Sequence, residues 1–160
     1  MERQSVLLLA AVVVVVVALA GSVGAACPCG FQPLPYGACV KLFSVEVQFG
    51  PTWEEANENC KKEDAQLISL DTPEKLEQFS VHLFSLDLSG NSYCVGARKT
   101  ESGWCWLNGE KLSSESHMWL PYQPEGNHTH ARIVPMTRHP RYYLTPYDDC
   151  RDYACEADDD

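Results

Sequence analysis

Eight cysteines constrain this chain more than any other feature: Cys27, Cys29, Cys39, Cys60, Cys94, Cys105, Cys150 and Cys155. All of them follow a long apolar run. Met1 to Gln4 is a short polar start, Val6 to Ala20 is unbroken apolar, and Gly21 to Ala26 are mostly small. That order is an export signal with a small-residue cleavage site. The expectation is a signal peptide over residues 1–26, cut near Ala25 or Ala26, and a secreted, extracellular product. A retained signal anchor is the rival. The run is short for a span, which needs ~20 apolar residues, no basic cluster flanks it, and no later segment is apolar enough to cross a bilayer. An even cysteine count in a small secreted chain is a disulfide framework. Zinc is the competing use, but Cys27-Pro-Cys29 lacks the two-residue gap of a zinc knuckle and no second close pair with that gap follows.

The 160 residues suffice for one domain, and 45% apolar with 21% charged is a globular composition. A net charge of −10 argues against nucleic acid, whose phosphates it repels. The charge is segregated. Residues 126 to 147 hold no acid and carry Arg132, Arg138 and Arg141, so that stretch is +3 and the rest is −13. The acid gathers at the far end, from Asp148 and Asp149 to a tail at 157–160.

Local signals give the elements. "CVKLFSVEVQF" from Cys39 has the partial alternation and β-branching of a strand. Thr52 opens a helix with Glu55 as its capping-box partner, and Trp53, Ala56 and Cys60 share one face. "AQLISL" is a short strand. Thr72-Pro73 starts a second helix, with Leu76, Phe79, Leu83 and Leu86 as its apolar stripe. Both stripes are core. "YCVGARK" and "GWCWL" are strands, and Asn108-Gly109 is a tight turn. Residues 113 to 130 are polar and irregular with two prolines, a long loop of the kind that is functional or disordered.

The pattern is α+β: two helices, small antiparallel sheets and a long loop, stapled by disulfides. In that order it resembles the C-type lectin-like domain, over 27–156. "CPCGFQPLPYGACVKLF" is similar to that family's opening hairpin and "TWEEANENCKKEDAQLISLDTPEKLEQF" to its two-helix segment. "YCVGARK", "WCWLNGEKL", "MWLPYQPEGN" and "CRDYACE" resemble the strands and loop that follow. The resemblance implies the bridges Cys27–Cys39 and Cys60–Cys155. It also implies a bridge from Cys150 to a cysteine just after the loop, where this chain has Ala131, Arg132 or Ile133 instead. Cys94 and Cys105 lie on neighbouring strands of one hairpin, so Cys94–Cys105 is expected as a cross-strand bridge. That leaves Cys29–Cys150, or Cys29 free to link a second chain as a dimer.

In the resembled family one calcium ion holds the sugar, through a Glu/Gln-Pro-Asn/Asp triplet, a downstream Glu and a late Asn-Asp pair. Calcium takes 6–8 oxygens. Gln123-Pro124-Glu125 resembles the triplet in its galactose-type form, and Tyr147-Asp148-Asp149 stands in for the late pair. The downstream Glu has no counterpart, since the next acid after Glu125 is Asp148. The expected calcium and sugar ligands are therefore Gln123, Glu125, Asp148 and Asp149, a degraded set. Pro124 shapes the loop, and in the family this proline is typically cis. The alternative for Gln123 and Glu125 is an exposed turn set by Pro124. Asn127-His128-Thr129 is an N-glycan acceptor pattern, two residues from Glu125. His128 and His130 without a third ligand are a weak metal signal.

Arg132, Arg138 and Arg141 suit an anionic ligand, since guanidinium forks fit carboxylate, sulfate and phosphate oxygens. The plainer reading has them facing solvent and pairing with the acidic end of the chain. No hydrolase, metalloprotease or phosphate-loop motif appears, so the chain is not read as an enzyme. The expected function is glycan recognition, of the kind soluble family members use against microbial surfaces, with calcium weak or absent. The alternatives are a domain of this fold that binds a protein partner or an anionic ligand, or a disulfide-linked assembly component.

Overall fold

The computed structural model describes residues 27–45, 50–136 and 139–158. The expected signal peptide and Arg138 lie outside them.

The elements run in chain order: β1 (Gln32–Pro33), β2 (Ala38–Ser44), α1 (Trp53–Lys61), β3 (Gln66–Leu67), α2 (Pro73–Ser85), β4 (Tyr93–Thr100), β5 (Gly103–Trp106), β6 (His130–Met136), β7 (His139–Pro146) and β8 (Asp152–Asp158). The strands form one sheet in the order β1-β2-β8-β4-β6-β7, with β3 added on β8 and β5 on β4. This is the α+β architecture expected from the sequence, but the small antiparallel sheets are one mixed sheet, because β4 runs parallel to β8. β8 pairs with β2 along its length, from Ala38↔Asp158 to Ser44↔Asp152. The strand therefore takes in residues 157 and 158, the first half of the expected acidic tail, because β2 supplies them with backbone partners.

Both helices start where their caps dictate. The Thr52 hydroxyl accepts from Glu55 N–H at 3.2 Å while the Glu55 carboxylate accepts from Thr52 N–H at 2.8 Å. Thr72 accepts from Lys75 N–H, with Pro73 at the first helical position. Each helix buries one face, Trp53, Ala56, Asn57 and Cys60 on α1 and Leu76, Phe79, Ser80 and Leu83 on α2. Leu86 fits the period of the α2 stripe but falls on the C-cap, where the chain leaves helical geometry and the side chain stays exposed. The Trp53 indole N–H donates to Val95 O at 2.7 Å, tying α1 to β4. Gly96 is required next to it: a Cβ there would stand 2.5 Å from Leu67 O, so only glycine lets β3 and β4 approach.

Three disulfides staple this frame: Cys27–Cys39, Cys60–Cys155 and Cys94–Cys150. The second joins α1 to β8. The third corrects two expectations, Cys94–Cys105 and Cys29–Cys150. The β4–β5 register sets Arg98 opposite Cys105, so Cys94 lies four residues along β4, about 13 Å away. Its actual neighbours across the sheet are Arg132 on β6 and Tyr153 on β8. Cys150 thus bridges to Cys94 on β4, not to a residue at 131–133 on β6. Cys29 and Cys105 are free thiols, the first exposed.

Candidate functional site

The long loop leaves the core after Leu112 and returns at His130. Its ends are fixed. Leu120 N–H donates to Leu144 O at 2.9 Å and Leu144 N–H to Met118 O at 2.7 Å, so the outgoing arm lies against β7. Trp119 anchors it, packed edge-on against Trp104 with its indole N–H on Ser113 O at 2.9 Å. On the returning arm, Lys99 N–H donates to Thr129 O.

Between these anchors the chain turns at a cis Gln123–Pro124 bond, with Tyr122 at φ +67° and Gly126 at φ +89°. Tyr122 is 89% exposed, the most exposed large apolar side chain among the described residues. A cleft of about 350 Å³ runs along the outgoing arm, lined by Ser116, His117, Tyr122, Gln123 and Tyr143 among others. Hydroxyls, an amide and two phenol rings are among the groups that line it.

The four expected calcium ligands do not converge. The Gln123 side-chain oxygen accepts from Glu125 N–H at 2.9 Å, closing the turn on itself. Glu125 is exposed. Asp148 is committed elsewhere. Its Oδ1 accepts from Thr129 N–H at 3.0 Å and His130 N–H at 3.1 Å and lies 3.2 Å from His130 Nδ1. Its Oδ2 lies 2.8 Å from His128 Nδ1. Asp149 lines a separate cavity with Arg132 and Arg151. Among the described residues no three His, Cys, Asp or Glu side chains gather as a metal requires. These oxygens are occupied by protein N–H groups or dispersed, so the donor set does not fit the ion that the fold would accommodate.

Asp148 is instead the clasp of the loop. Partial burial works to raise its pKa, but the hydrogen bonds from His128, Thr129 and His130 outweigh burial and hold the carboxyl below its ordinary value. His130 extends the clasp. Its ring stacks on Trp53 at 4.3 Å, and its Nε2 lies 3.3 Å from a Glu54 carboxylate oxygen. The returning arm is thereby tied to the first turn of α1. Asn127, next to His128, is exposed as a glycan acceptor must be.

The arginines separate. Arg141 faces Glu77 on α2 at 3.9 Å, both well exposed, beside a cleft of about 300 Å³ between α2 and β7. Arg132 pairs across the sheet with Thr145, four residues along β7 from Arg141, and its guanidinium lies 3.6 Å from the Tyr147 ring centroid. Among the described residues Arg141 pairs with Glu77, and Arg132 packs on Tyr147. Sequence reasoning missed Tyr122 and the double role of Tyr147. Tyr122 was legible as an aromatic directly before the Gln-Pro turn. The packing of Tyr147 against both Arg132 and His128 had no local signal.

Known proteins share this fold. Residues 50–157 match the Lectin C-type domain family model, and the chain belongs to that family. The family is one of binding domains, so this is not an enzyme. Bovine (Bos taurus) E-selectin is 28% identical over 84 residues, which are 52% of this chain and 17% of that protein. The chain thus matches only a small part of that relative's length. Among solved structures, the C-type lectin domain of murine dendritic cell inhibitory receptor 2, in complex with N-glycan, superposes with a TM-score of 0.62 at 14% identity, over 83% of this chain and 99% of that one. The calcium-independent C-type lectin SPL-2 from Saxidomus purpuratus does so with 0.63 at 19% identity, over 82% and 94%. Likeness this remote in sequence is likeness of fold.

Proposed function

We propose that this chain is a secreted carbohydrate-recognition protein that contacts glycans through its long loop without the calcium ion of its family. The observation that carries the reading is the loop itself. It sets the Gln123-Pro124 turn beside a cleft with Tyr122 exposed at its rim, while the Gln123 and Asp148 oxygens are already bonded to protein and Asp149 lies in a separate cavity. A phenol ring gives a sugar's C–H face an apolar platform and its hydroxyls a partner. Solved relatives of this fold include one with a bound N-glycan and one described as calcium-independent, which supports the reading. Secretion rests on the N-terminal apolar run and on the disulfides, which persist in oxidising compartments. The product is a glycoprotein if Asn127 is occupied, and its own glycan would then compete for the loop. Recognition of microbial surface glycans fits a soluble protein of this type.

The test is a glycan array probed with the mature protein in calcium and again in chelator. Binding that survives chelation and falls with Tyr122→Ala supports the reading. No binding to any glycan in either condition sinks it. One observation favours a second reading, a protein partner: Val81, Phe84 and Leu86 leave apolar surface exposed on and just after α2. The exposed Cys29 thiol would allow a disulfide-linked dimer, which a non-reducing gel would reveal.

A further inference from the structure

A cavity of about 370 Å³ lies between the start of β4, Arg132 on β6 and the turn into β8, with no residue of the 113–129 loop in its lining. Its lining includes Arg132, Arg151, Asp149, Asn91 and Ser92, with Cys94 of the Cys94–Cys150 bridge in its wall. The volume is within the range of small-ligand sites, ~300–1,000 Å³.

Arg132 Nε is buried and has no hydrogen-bond partner. A guanidinium stays charged in a protein and keeps every one of its N–H donors. The group is also held in place, because it lies against the Tyr147 ring at 3.6 Å. Neither Arg132 nor Arg151 makes an ion pair among the described residues, although two aspartates line the same cavity. Asp152 is engaged by the Ser44 hydroxyl at 2.6 Å. The Asp149 side chain has no partner among the described residues. Arg132 also faces Cys94 of the Cys94–Cys150 bridge across the sheet.

We propose that this cavity is an anion subsite that takes the carboxylate or sulfate of an acidic saccharide. Arg132 and Arg151 hold the anion, while Asp149, Asn91 and Ser92 take the hydroxyls of the same sugar. The mixed lining selects this class. Two arginines favour one anionic group, whereas two aspartates and a net charge of −10 disfavour a dense polyanion. A ring with a single acid and several hydroxyls satisfies both halves. The proposal rests on the carbohydrate reading and names its substrate class. Tyr147, which also packs near His128 at 5.8 Å between ring centroids, places the subsite next to the returning arm of the loop.

The test is calorimetric titration of the mature protein in chelator with glucuronic acid and galactose 6-sulfate, against glucose, galactose and inorganic sulfate. The acidic sugars bind at least about tenfold tighter than the neutral sugars or sulfate, as expected for a charge-assisted hydrogen bond. Arg132→Gln and, separately, the exposed Arg151→Gln remove that preference and leave neutral glycan binding on the array unchanged. Thermal melts confirm that both variants fold, and the exposed position keeps the test valid if Arg132→Gln does not. Equal affinity for acidic and neutral sugars, equal binding of inorganic sulfate alone, or retained preference in Arg151→Gln and in a folded Arg132→Gln overturns the subsite while the loop reading stands. Absence of binding to every glycan overturns both.

Discussion

Asp148 and His130 are joined twice: one carboxylate oxygen accepts the His130 backbone N–H at 3.1 Å and lies 3.2 Å from the same residue's ring Nδ1. With Thr129 N–H and the His128 ring added, a single side chain fastens the returning arm of the loop. Asp148→Asn keeps the shape and removes the charge. The side chain is 44% exposed, so solvent moderates the loss to about 1 kcal/mol or less. That loss is local. Amide hydrogen exchange at Thr129 and His130 speeds up severalfold, while the buried strands β4 and β8 keep their protection. Unchanged exchange at these two amides would show that Lys99 and the loop's backbone hold the arm unaided.

The Cys94–Cys150 bridge is the second prediction, because it reassigns half of the cysteines. It closes 56 residues and is worth about 4 kcal/mol in the chain-entropy model. The double change Cys94→Ala/Cys150→Ala lowers stability by about that much in denaturant titration. Cys105→Ser changes it by under ~0.5 kcal/mol, since that thiol has no bridge to lose. Non-reducing peptide mapping supplies the direct check, and a Cys94–Cys105 cross-link would refute the assignment.

The parts of this fold legible in the sequence are those set within a few residues. Thr52 with Glu55, and Thr72 with Pro73, fix two helix starts by local hydrogen bonding and backbone preference. Asn108-Gly109 does the same for a turn, with Gly109 at φ +91° and the Asn108 side chain accepting from Glu110 N–H. What depends on register was not legible. Cys94 and Cys105 share a hairpin, but only the pairing of Arg98 with Cys105 shows them to be out of reach. The same holds for the site. Asp148 reads as a free acid beside Asp149, yet long-range folding brings the loop's own N–H groups onto it first. Gln123 resembles a ligand, and a two-residue turn takes its oxygen.

Acid acts on the protein in two steps, through two groups whose pKa values are both lowered by folding. Burial holds the His82 imidazole below its ordinary value, and its Nε2 has no partner. The unfolded chain therefore binds that proton first, and stability begins to fall as pH drops below about 6.5. Asp148 is depressed in the same direction, by hydrogen bonds that outweigh its partial burial. Its contribution is complete above the unfolded carboxylate pKa of about 3.9 and is lost as pH falls through the lower folded value. Melting temperature measured from pH 7.5 to 2.5 declines in both windows. His82→Gln flattens the upper decline and Asp148→Asn the lower. A decline at pH 6 that His82→Gln leaves intact would point to another histidine.

Calcium is the last prediction, and stability reads it independently of any sugar. A ligand bound only by the native state stabilises it by RT ln(1 + [L]/Kd), about 1.4 kcal/mol at ten times Kd. For a domain of this size that moves the melting temperature by ~2–8 °C, so a working site is easy to see. Here Gln123 is closed on Glu125, Asp148 on His128, Thr129 and His130, and Asp149 is in another cavity. Millimolar calcium therefore leaves the melting temperature of the mature protein within ~1 °C of its value in chelator, and Glu125→Gln changes nothing. A rise of several degrees that Glu125→Gln abolishes would mean that the ion outcompetes these hydrogen bonds. The loop would then rearrange to bring Gln123, Glu125 and Asp148 onto one centre, and the calcium-free reading of the site would fall.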